Sequence, residues 1–313
     1  MLVPILLERI VFFFYIKIKF PNVKYVFLWH SKIFKKLFSF SFWNVFGQIS
    51  FLAYTQGINV VLNLFFGPVI NTARGISYQI QSAINSFVIN IQTAYNPQIT
   101  QSYSSGRLSS SINLIFQASK YSFLLIYVFS IPIIFSLPYM LSIWLQEYPD
   151  ETIIFSKLIL INAILESLSF SLITGIQASG NIKRYITTIG ILNFLNLPFS
   201  YLFLYVGFEA YYCFIILIFI TLIAFFARYY FFKRVTGAAL YSFYEEVVVK
   251  ILPIVLITLI VSFTITSFIS INNIFSLLLF SLIFLITAIS STYFFGLSRK
   301  ERILIKNKIC SYV

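Results

Sequence analysis

With 313 residues, of which 59% are hydrophobic and 10% charged, and a mean hydropathy of +0.91, the chain is too apolar and too sparsely charged to be a soluble domain. The net charge of +13 comes from basic residues dispersed over several connecting segments rather than gathered on one face, which argues against nucleic acid as a partner. Cys213 lies in an apolar run and Cys310 in a basic tail, and His30 is a lone histidine. No disulfide framework, metal site or cofactor motif is therefore expected.

In chain order, residues 1–20 are the first element. Glu8 and Arg9 interrupt their apolar run and no small-residue cleavage site follows, so a cleaved signal peptide is not expected. The run Ile10–Ile16 is too short to cross a bilayer, and the segment reads as the cytoplasmic end of an incomplete helix. Charge-free runs such as Leu37–Ala73, Gly75–Gly106 and Ile251–Ser298 then predict eight spans, near 40–66, 76–98, 121–145, 152–176, 185–206, 210–230, 250–270 and 274–296.

The basic residues alternate between these spans. Lys17, Lys19, Lys24, Lys32, Lys35 and Lys36 precede the first; Arg107 and Lys120 follow the second; Lys183 and Arg184 follow the fourth. Arg228, Lys233, Arg234 and Lys250 surround the sixth-to-seventh connection, and Arg299, Lys300, Arg302, Lys306 and Lys308 close the chain. All fall on one side if both termini are cytoplasmic, while Glu147, Asp150, Glu151 and Glu209 fall on the other. The basic tail reads as an orientation signal or as a contact with anionic lipid.

Arg74 and Lys157 alone depart from that pattern. At 100° per residue, Arg74, Tyr78, Gln81, Asn85, Gln92 and Asn96 lie within about 40° of one line along the second span. Asn44, Gln48, Thr55 and Asn59 form a matching line on the first span, joined to the second by the turn at Gly67-Pro68. Facing lipid, such a stripe would be costly, about 2.5–3.5 kcal/mol for a central arginine alone. It either lines a hydrated cavity or bonds neighbouring helices together. Glu166, near the middle of the fourth span with Asn162 and Ser169 on its face, reads as a proton- or cation-responsive coupling group or as a packed, protonated acid. Lys157, on the opposite face from Glu166, is expected to snorkel outward. Pro132 and Pro138 are expected to break the third span, and Pro198 the fifth.

The string FSFWNVFGQISFLAYTQGINVVLNLFFGPVINTARGISYQIQSAINSFVINIQTAYNPQITQSYSSG, residues 40–106, resembles the start of the second half of bacterial O-antigen and polysaccharide repeat-unit flippases. These belong to the multidrug/oligosaccharidyl-lipid/polysaccharide exporter superfamily. LILINAILESLS (158–169), TGIQASGNIKRY (174–185) and LNLPFSYLFLYVGF (195–208) fit the same pattern in the same order. The resemblance implies an all-α integral membrane protein, a polytopic bundle with a MATE-like second six-helix lobe over 40–234 and two extra C-terminal transmembrane helices over 235–298. The rest would be the end of a preceding helix and a basic loop (1–39) and a basic cytoplasmic tail (299–313). The first lobe would be missing, so the chain is expected to be part of a longer flippase, to pair with a separate first lobe or polymerase machinery, or to be an inactive remnant.

The resemblance further implies a bacterial inner-membrane location and a cargo of undecaprenyl-pyrophosphate-linked oligosaccharide, bound without any cofactor. Arg74 is the position that matches a lumen cation, with the amide stripe beside it as sugar contacts. A cation-coupled drug antiporter of the same fold is the alternative, distinguished by dependence on Glu166 rather than Arg74. A membrane glycosyltransferase or polymerase would need catalytic groups on sizeable outer loops, and here those loops are short, so no enzymatic activity is expected.

Overall fold

The structure, a computed structural model, describes residues 2–21, 29–298 and 301–303; Lys24, Arg299, Lys300, Lys306, Lys308 and Cys310 lie outside them. Among the described residues every regular element is helical. The chain divides into two compact units, Met1–Phe42 and Trp43–Val313. The first holds α1 (Leu2–Lys19), an exposed apolar helix whose last turn carries Lys17 and Lys19, where positive charge complements the carbonyl end.

The second unit carries the bundle. Its helices are most of α2 (Ser31–Phe66), then α3 (Pro68–Ser104), α4 (Leu108–Trp144), α5 (Glu151–Ser167), α6 (Phe170–Ala178), α7 (Lys183–Tyr205) and α8 (Tyr212–Thr236). After α9 (Leu240–Phe243) come α10 (Val249–Phe268) and α11 (Ile274–Ser291), with one wide π-type turn before α10 and another after α11. Gly67, at φ +78°, makes the tight turn from α2 into α3, and Pro68 occupies the first helical position, where a missing N–H costs nothing.

Among the described residues seven helices are long and apolar enough to cross a membrane, counting α5 with α6, α9 with α10 and α11 with its terminal turn. The protein is therefore a multi-pass membrane protein. The eighth long helix, α3, has 37 residues but not the apolarity, because its amides and Arg74 dilute it. It is packed closely between α4 and α5.

Two expected boundaries are corrected. α4 starts at Leu108 rather than 121, with Lys120 buried inside it. α8 continues past the expected end at 230, through Lys233 and Arg234 to Thr236, and stops where Gly237 takes φ +74° and donates its N–H to the Lys233 carbonyl at 2.8 Å. The span expected at 152–176 is met by Glu151–Ala178, with a local irregularity at Leu168-Ser169 where α5 passes into α6. Charge does not end these helices; backbone geometry does. The prolines likewise fail to break their helices: α4 runs through Pro132 and Pro138 and α7 through Pro198. In apolar surroundings, losing one backbone bond is cheaper than unravelling a turn and losing several. The Ser136 hydroxyl also donates to the Pro132 carbonyl at 2.6 Å.

Two apolar clusters hold the unit together. The larger joins α3–α8 to the C-terminal hairpin through residues such as Ile115, Leu172, Phe232, Phe243 and Phe284. The smaller, with Tyr54, Ile58, Leu62, Phe155 and Phe214, sits toward the Gly67 turn. Helices α10 and α11 pack on α4, where the Tyr127 and Thr258 hydroxyls meet at 2.7 Å. The segment after α11 is fastened to α4 by polar contacts. Lys120 Nζ donates to the Gly296 carbonyl at 2.7 Å and lies 3.6 Å from Glu301, whose carboxylate accepts from the Tyr121 hydroxyl (2.6 Å) and the Ser298 N–H (2.7 Å).

Candidate functional site: a polar groove through the bundle

Polar side chains between membrane helices either bond the helices to one another or face a space. Here α2, α3, α5, α6, α7 and α8 line a chain of three cavities. The first, ≈ 530 Å³, is lined by Thr55, Asn59, Asn71, Arg74 and Tyr78 with Phe51 and Gly75. The second, ≈ 260 Å³, shares Phe51, Thr55 and Tyr78 with it and adds Gln81, Asn85, Asn162, Glu166, Asn193, Thr221 and Arg228 among its walls. The third, ≈ 310 Å³, shares Phe51, Asn193 and Arg228 with the second and adds Asn44, Gln48, Gln177 and Tyr185. The shared walls make one groove, running from the Arg74 end toward the α6–α7 connection.

Arg74 is buried and held in a fixed orientation. Its Nη1 donates to the Asn59 carboxamide oxygen, its Nη2 donates to the Thr55 carbonyl at 3.2 Å, and the guanidinium lies 4.6 Å from the Tyr78 ring centroid. Asn71 supports Asn59 by donating to its backbone carbonyl at 3.2 Å. Two of the five guanidinium N–H groups are thus used, and Nε has no partner. The same contacts pin α2 to α3. Alongside, Gly57 leaves room for Leu197 of α7; a Cβ there would stand 2.6 Å from the leucine side chain.

Farther along, Asn162 accepts from Thr221 at 2.7 Å, which joins α5 to α8, while Asn85 presents a carboxamide oxygen without a partner. Glu166 lies on the last turn of α5, just before the interruption, with its side chain 34% exposed and one oxygen 4.0 Å from Arg228 Nη2. A short break in a spanning helix is where a backbone group and a charged side chain can both reach a lumen.

Compared with family models, curated proteins and solved structures, the chain matches none. The placement of each side chain therefore carries the functional argument.

Both readings of the polar stripe find a place on it. Arg74, Tyr78, Gln81 and Asn85 from α3, and Asn44, Gln48, Thr55 and Asn59 from α2, line the groove. Asn96 instead accepts a hydrogen bond from Thr174 of α6 at 2.9 Å and joins two helices, and Gln92 lines none of the three cavities. Lys157 lines none of them either. Of the two residues grouped with Glu166 by helical spacing, Asn162 reaches the groove, while Ser169 is fully buried at the interruption. Beyond the groove, the exposed surface of α3 carries Thr72, Gln79, Ser82, Ser86, Asn90 and Thr93 beside the apolar Val69, Phe87 and Ile89, a more polar mixture than lipid favours.

Sequence reading missed Arg228, Asn193 and Gln177 as groove residues. For Arg228 the usable signal was the distance to Gly237, which places the arginine more than two turns inside α8. Gln177 is the one amide on α6, and Asn193 shares α7 only with Asn196, so neither helix carries a stripe to mark them.

Proposed function

We propose that the chain moves lipid-linked oligosaccharide repeat units across the bacterial inner membrane, as all or part of a flippase. One observation carries this reading: a groove through an apolar bundle whose walls set carboxamides and hydroxyls among apolar side chains, with an oriented arginine toward one end. Carboxamides both donate and accept, which suits the mixed donors and acceptors of a glycan. A guanidinium with free N–H groups suits a phosphate oxygen. The resemblance of residues 40–106 to repeat-unit flippases supports the same cargo. No covalent bond changes in this reading, and the residues supply binding and passage alone.

With the basic connections cytoplasmic, Arg74 lies toward the outer leaflet, where it holds the lipid diphosphate while Gln81 and Asn85 contact sugar. Gln92, assigned to sugar by its place on the stripe, lies outside the cavities and is left out of this role. The polar outer face of α3 is suited to a hydrated space or a second bundle. Glu166 in the groove wall favours a second reading, a cation-coupled antiporter. Arg228 beside it already supplies a positive charge, which weighs against that reading.

The test is to introduce Arg74→Ala and Glu166→Gln separately into the chromosomal copy and measure surface glycan and accumulated lipid-linked repeat units. The expected result is that Arg74→Ala lowers export about tenfold or more, the cost of losing a charge-assisted hydrogen bond to cargo. Wild-type export from Arg74→Ala would overturn the reading, and loss confined to Glu166→Gln would favour the antiporter.

A further inference from the structure

Arg228 plays no part in the reading above, yet it is less satisfied than Arg74. Its side chain is 7% exposed, its Nη2 reaches Glu166 only at 4.0 Å, and its Nε and Nη1 are buried without any hydrogen-bond partner. An unsatisfied buried polar group costs about 1–3 kcal/mol, and more when charged. A bundle could avoid that cost by turning the side chain outward or by pairing it closely, as Arg74 is paired with Asn59 and Thr55. Here the guanidinium instead stands in the partition between two cavities, lining both, with Phe51 and Asn193 beside it. Space for a ligand therefore lies on each side of the residue; Nε and Nη1 are themselves covered, so an entering ligand meets the Nη2 edge that now faces Glu166.

Neighbouring groups narrow the chemistry. The walls around Arg228 add the amides Asn193 and Gln177 and the Tyr185 side chain, which hydrogen-bond oxygen readily, and one carboxylate, Glu166. A cationic ligand would meet an uncompensated guanidinium. A neutral one would leave the empty donors of Arg228 poorly satisfied. An oxyanion fits both the charge and the donors.

We propose that Arg228 is an oxyanion-binding site for phosphate or diphosphate oxygens, with Glu166 as its internal competitor. An arriving anion takes the donors of Arg228, and Glu166, already open to the cavity, is left to water. The site is independent of Arg74 and stands whether or not the cargo carries a glycan. Two sources share this ligand chemistry, the head group of a phospholipid or isoprenoid diphosphate and free phosphate.

The test is calorimetric titration of the full chain in lipid nanodiscs with inorganic pyrophosphate and, separately, farnesyl diphosphate. Arg228→Gln should weaken binding about tenfold or more, whereas Glu166→Gln should tighten it by a similar factor, because removing the competitor frees the cation. The double variant, which leaves no charge unpaired, should bind as weakly as Arg228→Gln while melting near wild type, so that lost binding is not mistaken for misfolding. Farnesyl diphosphate binding without pyrophosphate binding would support the site with a lipid source; binding of both would support it with the diphosphate alone sufficient. Pyrophosphate binding alone would support the site but count against lipid-linked cargo. Failure of both probes in the wild type, or weakening by Glu166→Gln, would overturn the site. Binding that depends on Arg74→Ala but not on Arg228→Gln would overturn it too, while leaving the flippase reading intact.

Discussion

Lys120 and Arg228 look alike in the sequence and are treated differently by the fold. Each is a basic residue at the edge of an apolar run, and each is buried inside a long helix, at 3% and 6% exposure. Lys120 is closely partnered, by the Gly296 carbonyl, the Glu301 carboxylate and the face of Tyr121. Arg228 has one distant carboxylate, the Tyr185 side chain beside it, and two donors without a hydrogen-bond partner. A buried charge that is closely partnered fixes two segments together; one left under-partnered beside a cavity is available to something else. The first fastens the C-terminal hairpin, and the second belongs to the groove.

The largest effect on stability should come from Lys120→Met. Removing one member of a buried, hydrogen-bonded pair costs about 3–5 kcal/mol, visible as a lower melting temperature in detergent. Arg228→Gln should cost clearly less, since it gives up a long ion pair and a contact with the Tyr185 side chain. Equal losses from the two would break the comparison.

Tyr121→Phe comes next, at about 1–3 kcal/mol for the hydrogen bond to a charged acceptor. The pH dependence sharpens the point, because Glu301 follows the last span. Burial acts to raise its carboxyl, but the Tyr121 hydroxyl and Ser298, together with the Lys120 ammonium, hold it below its ordinary value. A carboxyl held low in the folded state stabilises the fold at pH above its unfolded value and loses that contribution as pH falls through the folded one. The melting difference between wild type and Glu301→Gln should therefore be steady near neutrality and shrink as acidification passes below about pH 4. A difference that grows on acidification would contradict the latch.

The smallest effect separates helix-joining amides from groove amides. Asn96→Leu, which breaks only the contact with Thr174, should cost about 1 kcal/mol or less in melting and leave glycan export unchanged. Gln81→Leu and Asn85→Leu should leave melting nearly unchanged and lower export.

Much of the fold was legible, for physical reasons. Spans follow from long apolar runs, and the Gly67-Pro68 turn from the only residue types that make it cheaply. Helix ends were misjudged where charge was taken as a stop: Lys120, Lys233 and Arg234 lie inside helices, and the partners that hold Lys120 lie far away in sequence. The α2 and α3 stripes were readable from spacing, and eight of their ten residues line the groove. Spacing could not tell Asn96 from Asn85, because the difference lies in whether Thr174 of another helix stands opposite.

The most direct test of the groove is thiol labelling from water. In a chain with Cys213 and Cys310 replaced by alanine, cysteines placed singly at Gln81, Asn85, Ile84 and Val88 would be exposed to a small, charged, membrane-impermeant reagent in proteoliposomes. The account predicts that cysteines at 81 and 85 react, while those at 84 and 88, buried in the larger core cluster, do not. Protection of 81 and 85 equal to that of 84 and 88 would mean that the amides are sealed between helices, and that there is no hydrated groove.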